Sequence, residues 1–314
     1  MAEKKIIAVI GATGAQGGGL VRAILADRSG AFSARAITRH PDSEKARGLG
    51  KLGSEVVGAD ADDPATLKRA FAGAHGAFCV TNFWEHYSPE REVAQATAMA
   101  DAAKSSGVSH VVWSTLEDTR RRLPLSDTRL PTLKEKYKVP HFDGKGEADP
   151  AFASVPTTYL LAAFYWDNFI GFGMGPKKGP DGNLVLAMPL GGGKLPGIAS
   201  GDIGKCAYGI FRRGHDLIGK RVGIAGEILG GEEMAAKFAK GLGRKVSFFD
   251  VPFDTFRSYG FPGADDLGNM FQYQAIFNDE FCKSRDVAFS RSLDPELQSF
   301  ETWLDRNKEK IPLE

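Results

Sequence analysis

The chain has 314 residues, 42% of them apolar and 25% charged, which places it among globular proteins and excludes a disordered or fibrous one. A formal net charge of +1 leaves no basic footprint for nucleic acid or for an anionic membrane surface, so both partners are disfavoured. The cysteines Cys79, Cys206 and Cys282 lie far apart without CxxC spacing, which points away from metal or dithiol chemistry and towards a reducing, cytoplasmic setting.

In chain order, the first apolar run, residues 6–10, is too short for a signal-peptide core or a membrane span, so the mature chain is expected to begin at Met1. From residue 4 to about residue 160, short β-branched runs alternate with helical patterns, which predicts parallel strands joined by crossover helices. Strands are expected at 5–10, 34–38, 55–58, 76–81, 110–114 and 157–161, most of them apolar on both faces. Right-handed crossovers then give an α/β fold with a doubly wound parallel sheet of the Rossmann type. Asp63-Pro64 and Ser88-Pro89 each place a capping oxygen before a proline in the first helical turn. A helix over 89–106 carries Val93, Ala96, Ala100 and Ala103 as a small-residue face for close packing on the sheet.

Beyond residue 170 the composition changes, and the glycine- and proline-rich stretch 171–201 predicts turns without regular periodicity. A helix at 202–213, a strand at 221–225, a helix at 231–241 and a strand at 245–251 would build a smaller α/β lobe. An amphipathic helix over 294–308 would close the chain, with Leu297, Phe300, Trp303 and Leu304 on one side. The expected division is a cofactor domain over 1–165, with return segments from the second half, and a smaller substrate or partner lobe over 166–314.

The most informative segment is the loop Gly11-Ala12-Thr13-Gly14-Ala15-Gln16-Gly17. Its glycines follow a strand and open a helix, so backbone amides and the positive helix end can face a pyrophosphate. The spacing is GxxGxxG rather than the more usual GxGxxG. After the second strand, Ile37-Thr38-Arg39-His40 holds no carboxylate for the ribose diol of NAD. Arg39 can instead pair with a 2′-phosphate, with Lys45 or Arg35 adding charge, which predicts NADP(H) as cofactor. Asp62 is a candidate for the adenine amino group.

Candidate chemistry lies further on. Ser114 ends the fifth strand, and His141-Phe142-Asp143-Gly144-Lys145 puts a histidine where Tyr-x-x-x-Lys would have its tyrosine. A tyrosine beside a lysine shuttles a proton during hydride transfer, and a histidine could do the same. A histidine beside a turn is nevertheless more often a surface or capping group. Lys145 is a candidate for the nicotinamide ribose or for proton transfer itself.

These residues, with Val80-Thr81-Asn82-Phe83-Trp84-Glu85, Pro180-Asp181-Gly182 and Gly260-Phe261-Pro262-Gly263-Ala264, resemble the NmrA-like family of atypical short-chain dehydrogenases, in particular its NADPH-sensing members. The resemblance implies NADP(H) binding, with Thr81, Asn82, Phe83 and Lys145 along the cofactor and His141 in place of the catalytic tyrosine. It further implies a redox sensor with weak or no dehydrogenase activity, read out by a protein partner or a second copy of the chain. The alternative is a reductase of a small aromatic or carbonyl substrate that uses Lys145 for proton transfer. Two stretches depart from the family pattern: 164–168 is one residue longer, and the charge-rich 120–140 is extended, as a solvated loop, a lid or a partner surface.

Overall fold

The computed structural model describes residues 3–28 and 30–313. The first half runs β1 (Lys5–Val9), α1 (Ala15–Ala26), β2 (Phe32–Thr38), α2 (Glu44–Lys51), β3 (Glu55–Gly58), α3 (Pro64–Phe71), β4 (Gly76–Cys79), α4 (Pro89–Ser105), β5 (His110–Thr115), α5 (Pro140–Ala148) and β6 (Thr157–Leu161). The second half runs β7 (Phe164–Tyr165), α6 (Asn168–Gly171), β8 (Lys177–Lys178), β9 (Leu184–Met188), β10 (Lys194–Ile198), α7 (Ser200–Arg213), β11 (Arg221–Gly223), β12 (Glu227–Gly230), α8 (Gly231–Leu242), β13 (Val246–Asp250), α9 (Phe253–Arg257), α10 (Ala264–Ile276), α11 (Asn278–Lys283), α12 (Val287–Leu293) and α13 (Phe300–Asn307).

Among the described residues, seven parallel strands form the central sheet in the order β3-β2-β1-β4-β5-β6-β11. This is the doubly wound Rossmann-type arrangement expected from the alternating pattern. The order reverses between β1 and β4, and a crevice opens at the carboxyl ends of the strands there. Ser43, Asp63 and Ser88 cap α2, α3 and α4 through their side chains, the last two ahead of a proline. Those three helices therefore start where local chemistry dictates.

Composition assigned α7 and β11 to the smaller lobe, yet both lie on the central sheet. β11 pairs with β6, and α7 packs on α1 through glycine. A Cβ on Gly204 would lie 2.1 Å from the Leu20 amide nitrogen, and one on Gly19 2.3 Å from the Gly201 carbonyl oxygen. The two helices thus meet backbone to backbone, a contact that hydrophobic periodicity does not signal.

The remaining strands make two three-stranded sheets, β12-β10-β7 and β13-β9-β8. Their strands β8, β9 and β10 fall inside 171–201, where short strands are broken up by glycine turns and leave no long periodic run. An aromatic core of Trp166, Phe169, Phe238, Phe300 and Trp303 joins them to α8 and α13. Each such ring contributes roughly 2–3 kcal/mol by leaving water. The closing helix starts at Phe300 rather than at 294, because Ser299 accepts from the Thr302 amide and so fixes the helix start.

The charge-rich segment 120–140 keeps most of its charged side chains in solvent but is pinned to the fold at a few buried points. Leu123, Leu130, Tyr137 and Val139 are buried in it. The Lys138 ammonium, also buried, donates to the carbonyls of Leu125, Asp127 and Leu130 and to Thr132 Oγ1. Asn269 on α10 donates to the carbonyls of Pro131 and Lys138, which docks the block on the smaller lobe.

Candidate active site

At the carboxyl end of β1 the chain turns through Gly11, whose φ of +64° is a left-handed conformation that favours glycine. A Cβ on Gly17 would lie 2.5 Å from the Gly11 carbonyl oxygen, so glycine there lets α1 start tight against the strand. Gly14 ends the turn without a side-chain cap. The first amides of α1 consequently lack intrahelical partners and face the crevice, a cradle that fits a dinucleotide pyrophosphate.

Across the crevice, Arg39 follows β2 and is half-exposed. Its guanidinium fork is held by both carboxylate oxygens of Glu85, which follows β4, with Nη2 donating at 2.9 Å to Oε2. Arg35, expected to add charge here, is committed elsewhere: it pairs with Glu55 at 2.7 Å and donates to the carbonyls of Ala70 and Ala72. Lys45 lies exposed on α2. Asp62 accepts from Arg91 and, at 3.0 Å, from Gln95. Arg91 and Gln95 hold the Asp62 carboxyl below the usual carboxylate range.

Deeper in the crevice, a cavity of about 250 Å³ gathers Gln16, Thr81, Asn82, Phe83, Ser114, His141 and Lys145, candidates drawn from four separate stretches of chain. Its wall is aromatic and sulfur-bearing, with Trp84, Phe164, Phe172, Met174, Phe261 and Met270. Such a lining suits a flat apolar ligand with a few polar anchors. Tyr165 also lines it, and its phenol receives a hydrogen bond from Gln16; burial pushes that phenol above its ordinary pKa while the bond from Gln16 opposes the shift.

His141 is neither a surface nor a capping residue. It sits in the first turn of α5 under the start of α10, where Asp266 accepts from its backbone amide at 3.1 Å and lies 2.7 Å from Nδ1. The ring tilts against Trp84 with centroids 4.8 Å apart. The carboxylate at Nδ1 fixes the orientation of the ring.

One turn further along α5, Lys145 donates to Thr81 Oγ1 at 2.7 Å and pairs with Glu92 at 2.8 Å. Thr81 Oγ1 in turn donates to the same Glu92 oxygen at 2.6 Å. Glu92 is fully buried on α4. Its other oxygen lies 3.6 Å from His86 Nε2. The ammonium is thereby clamped between the β4 end and α4, with its charge compensated inside the protein. Cys79, beneath this site, is buried, and burial pushes its thiol far above the range of a reactive cysteine.

Neither Asp266 nor Glu92 was singled out by sequence reasoning. Glu92 had a signal, a carboxylate on the α4 face otherwise lined by Ala96, Met99 and Ala103. Asp266 had none, lying 125 residues from His141.

The model of the NmrA-like family matches residues 3–304. The chain belongs to the NmrA-like family. It is 31% identical to the NmrA-like family domain-containing oxidoreductase FrzB of Cladobotryum sp. over 293 residues, 85% of this chain and 83% of that one. NmrA, a negative transcriptional regulator solved in complex with NADP, superposes with a TM-score of 0.74 at 24% identity, covering 97% of this chain and 95% of that one. NmrA has also been solved in complex with NAD. The Citrobacter sp. triphenylmethane reductase complexed with NADP(H) gives 0.71 at 19% identity, covering 98% and 100%. Among the described residues no helix is long and apolar enough to cross a membrane, and no group of His, Cys, Asp and Glu could hold a metal.

Proposed function

We propose that this protein is an NADPH-dependent reductase of a flat, apolar, unsaturated substrate, with His141 managing the proton and Lys145 holding the cofactor beside it. The observation that carries the reading is the carboxylate-held imidazole of His141 in an aromatic cavity, one helical turn from Lys145. A buried histidine–aspartate pair costs desolvation, and a protein that only reports cofactor levels has no use for it. In this reading residues 1–165, with β11 and α7, hold the dinucleotide, and residues 166–314 supply most of the aromatic wall.

The cofactor, when bound, supplies the hydride to an electrophilic carbon of the substrate. The glycine loop takes the pyrophosphate, and Arg39 takes the 2′-phosphate that selects NADP(H). Asp62 accepts from the adenine amino group. Thr81, Asn82 and Phe83 border the nicotinamide, and Lys145 binds its ribose. Ser114 and His141 Nε2 face the atom that gains the proton, with Asp266 holding the ring in place and stabilising its charged form. The aromatic wall excludes water from that atom.

The other reading, a redox sensor of the NADPH/NADP⁺ ratio acting through a partner, needs the two cofactor forms to favour different protein states. One experiment separates the readings. A panel of quinones, enones and aromatic aldehydes is followed by NADPH absorbance, alongside calorimetric titration of NADPH. We expect turnover that falls at least about a hundredfold in His141→Gln, with NADPH affinity retained. NADPH binding without turnover across the panel would overturn the reductase and leave the sensor.

A further inference from the structure

The end of β2 carries an arginine and no acid, yet a carboxylate is present at that spot: Glu85 arrives from the turn after β4 and occupies the fork of Arg39. We propose that Glu85 sets the balance between phosphorylated and unphosphorylated dinucleotide, as a built-in competitor for Arg39. The inference rests on the dinucleotide reading above.

The argument is one of shared geometry. A guanidinium presents two parallel N–H bonds to a carboxylate or a phosphate, and the same pair of nitrogens cannot serve both at once. With NADP(H), the 2′-phosphate takes the fork and Glu85 must give way, leaving a negative charge beside the phosphate. With NAD(H), the Arg39–Glu85 pair can persist, and the carboxylate stands where it can accept the ribose 2′-hydroxyl. Glu85 thus supplies, from a different strand end, the acid that NAD-binding folds usually carry on β2.

Burial and surroundings fit this role. The Arg39 and Glu85 side chains are 43% and 39% exposed, so the pair is weak enough for a dianion to displace. Asp60 also acts electrostatically on Arg39, and Arg91, the neighbouring cation, is engaged by Asp62. The pair holds the Glu85 carboxyl below its ordinary range, which keeps it charged at neutral pH. A single ion pair therefore weighs one cofactor against the other.

The test is calorimetric titration of NADP⁺ and NAD⁺ into wild type, Glu85→Gln, Arg39→Ala and the double variant, with circular dichroism to confirm folding. In Glu85→Gln we expect NADP⁺ to bind about fivefold tighter and NAD⁺ about tenfold weaker, the scales of an exposed ion pair and of a charged hydrogen bond. In the Arg39→Ala background, Glu85→Gln should give a clearly smaller gain for NADP⁺ than in wild type, because the competition is gone and only the repulsion beside the phosphate is relieved. Equal changes for both dinucleotides, or no change, would overturn the inference, since Glu85 would then only hold its turn. Wild type that binds neither dinucleotide would remove the underlying reading as well.

Discussion

The two ends of the crevice are built on opposite principles. At the end beside the glycine loop, half-exposed charges meet in pairs, Arg39 with Glu85 and Arg91 with Asp62. At the cavity end the charges are buried, Glu92 under Lys145 and Asp266 against His141, and behind its Ala162 wall the buried Arg285 pairs with a partly exposed Glu117. Exposed pairs exchange partners at little cost, whereas buried ones cannot be broken without stranding a charge. The first end leaves its charged groups open to a competing polar ligand, and the second holds its charged groups fixed.

Removing Arg285 should break this contrast most severely. Its guanidinium, with no exposed surface, donates to Glu117 at 2.9 Å and to the Ala162 carbonyl on the cavity wall. Arg285→Ala should cost about 3–5 kcal/mol in urea unfolding, the scale of a stranded buried charge. Next comes Gly17→Ala, whose new Cβ meets Gly11 backbone oxygen: we expect a loss of about 1–3 kcal/mol in stability, with dinucleotide binding abolished in calorimetry. Asp266→Asn keeps the hydrogen-bonding shape but removes the charge. It should slow turnover about tenfold or more while leaving NADPH affinity unchanged, measured by absorbance and calorimetry.

Acid titration sharpens the comparison. Burial pushes Glu117 upward, but the charge and hydrogen bonds of Arg285 win and hold it below its ordinary range. Glu85 is lowered too, by its hydrogen bonds from Arg39. Both carboxyls bind protons less readily folded than unfolded, so their stabilisation is present above the ordinary glutamate pKa. It is lost as pH falls through their lower folded values. Thermal melts between pH 6 and pH 3 should therefore be markedly flatter in Glu117→Gln than in wild type. Glu85→Gln should alter the same curve only slightly, because its pair is solvent-screened.

The same contrast decides what the sequence reveals. The glycine loop, its strand and its helix are contiguous, so spacing alone carries the cradle. Caps at Asp63 and Ser88 likewise act within a few residues. The doubly wound sheet follows from alternation, but the placement of α7 on α1 depends on glycine clearances visible only in three dimensions. At the site, Ser114 is singled out by its place at the end of β5 and Lys145 by the Tyr-x-x-x-Lys spacing, whereas His141, at the tyrosine position, reads equally as a surface or capping group beside a turn. Its carboxylate comes from α10, which begins after Gly263 at a φ of +83°, far along the chain. The Arg39–Glu85 pair is hidden similarly, since nothing local links the end of β2 to the turn after β4.

Lys138 gives the block 120–140 an unusual kind of permanence. Three carbonyls and a hydroxyl converge on its ammonium much as oxygen ligands converge on a metal ion. This cation is tied to the chain by its own side chain, so no chelator can extract it and no change in ion concentration can dilute it away. A loop with little regular structure has in effect been given a structural ion encoded in the gene.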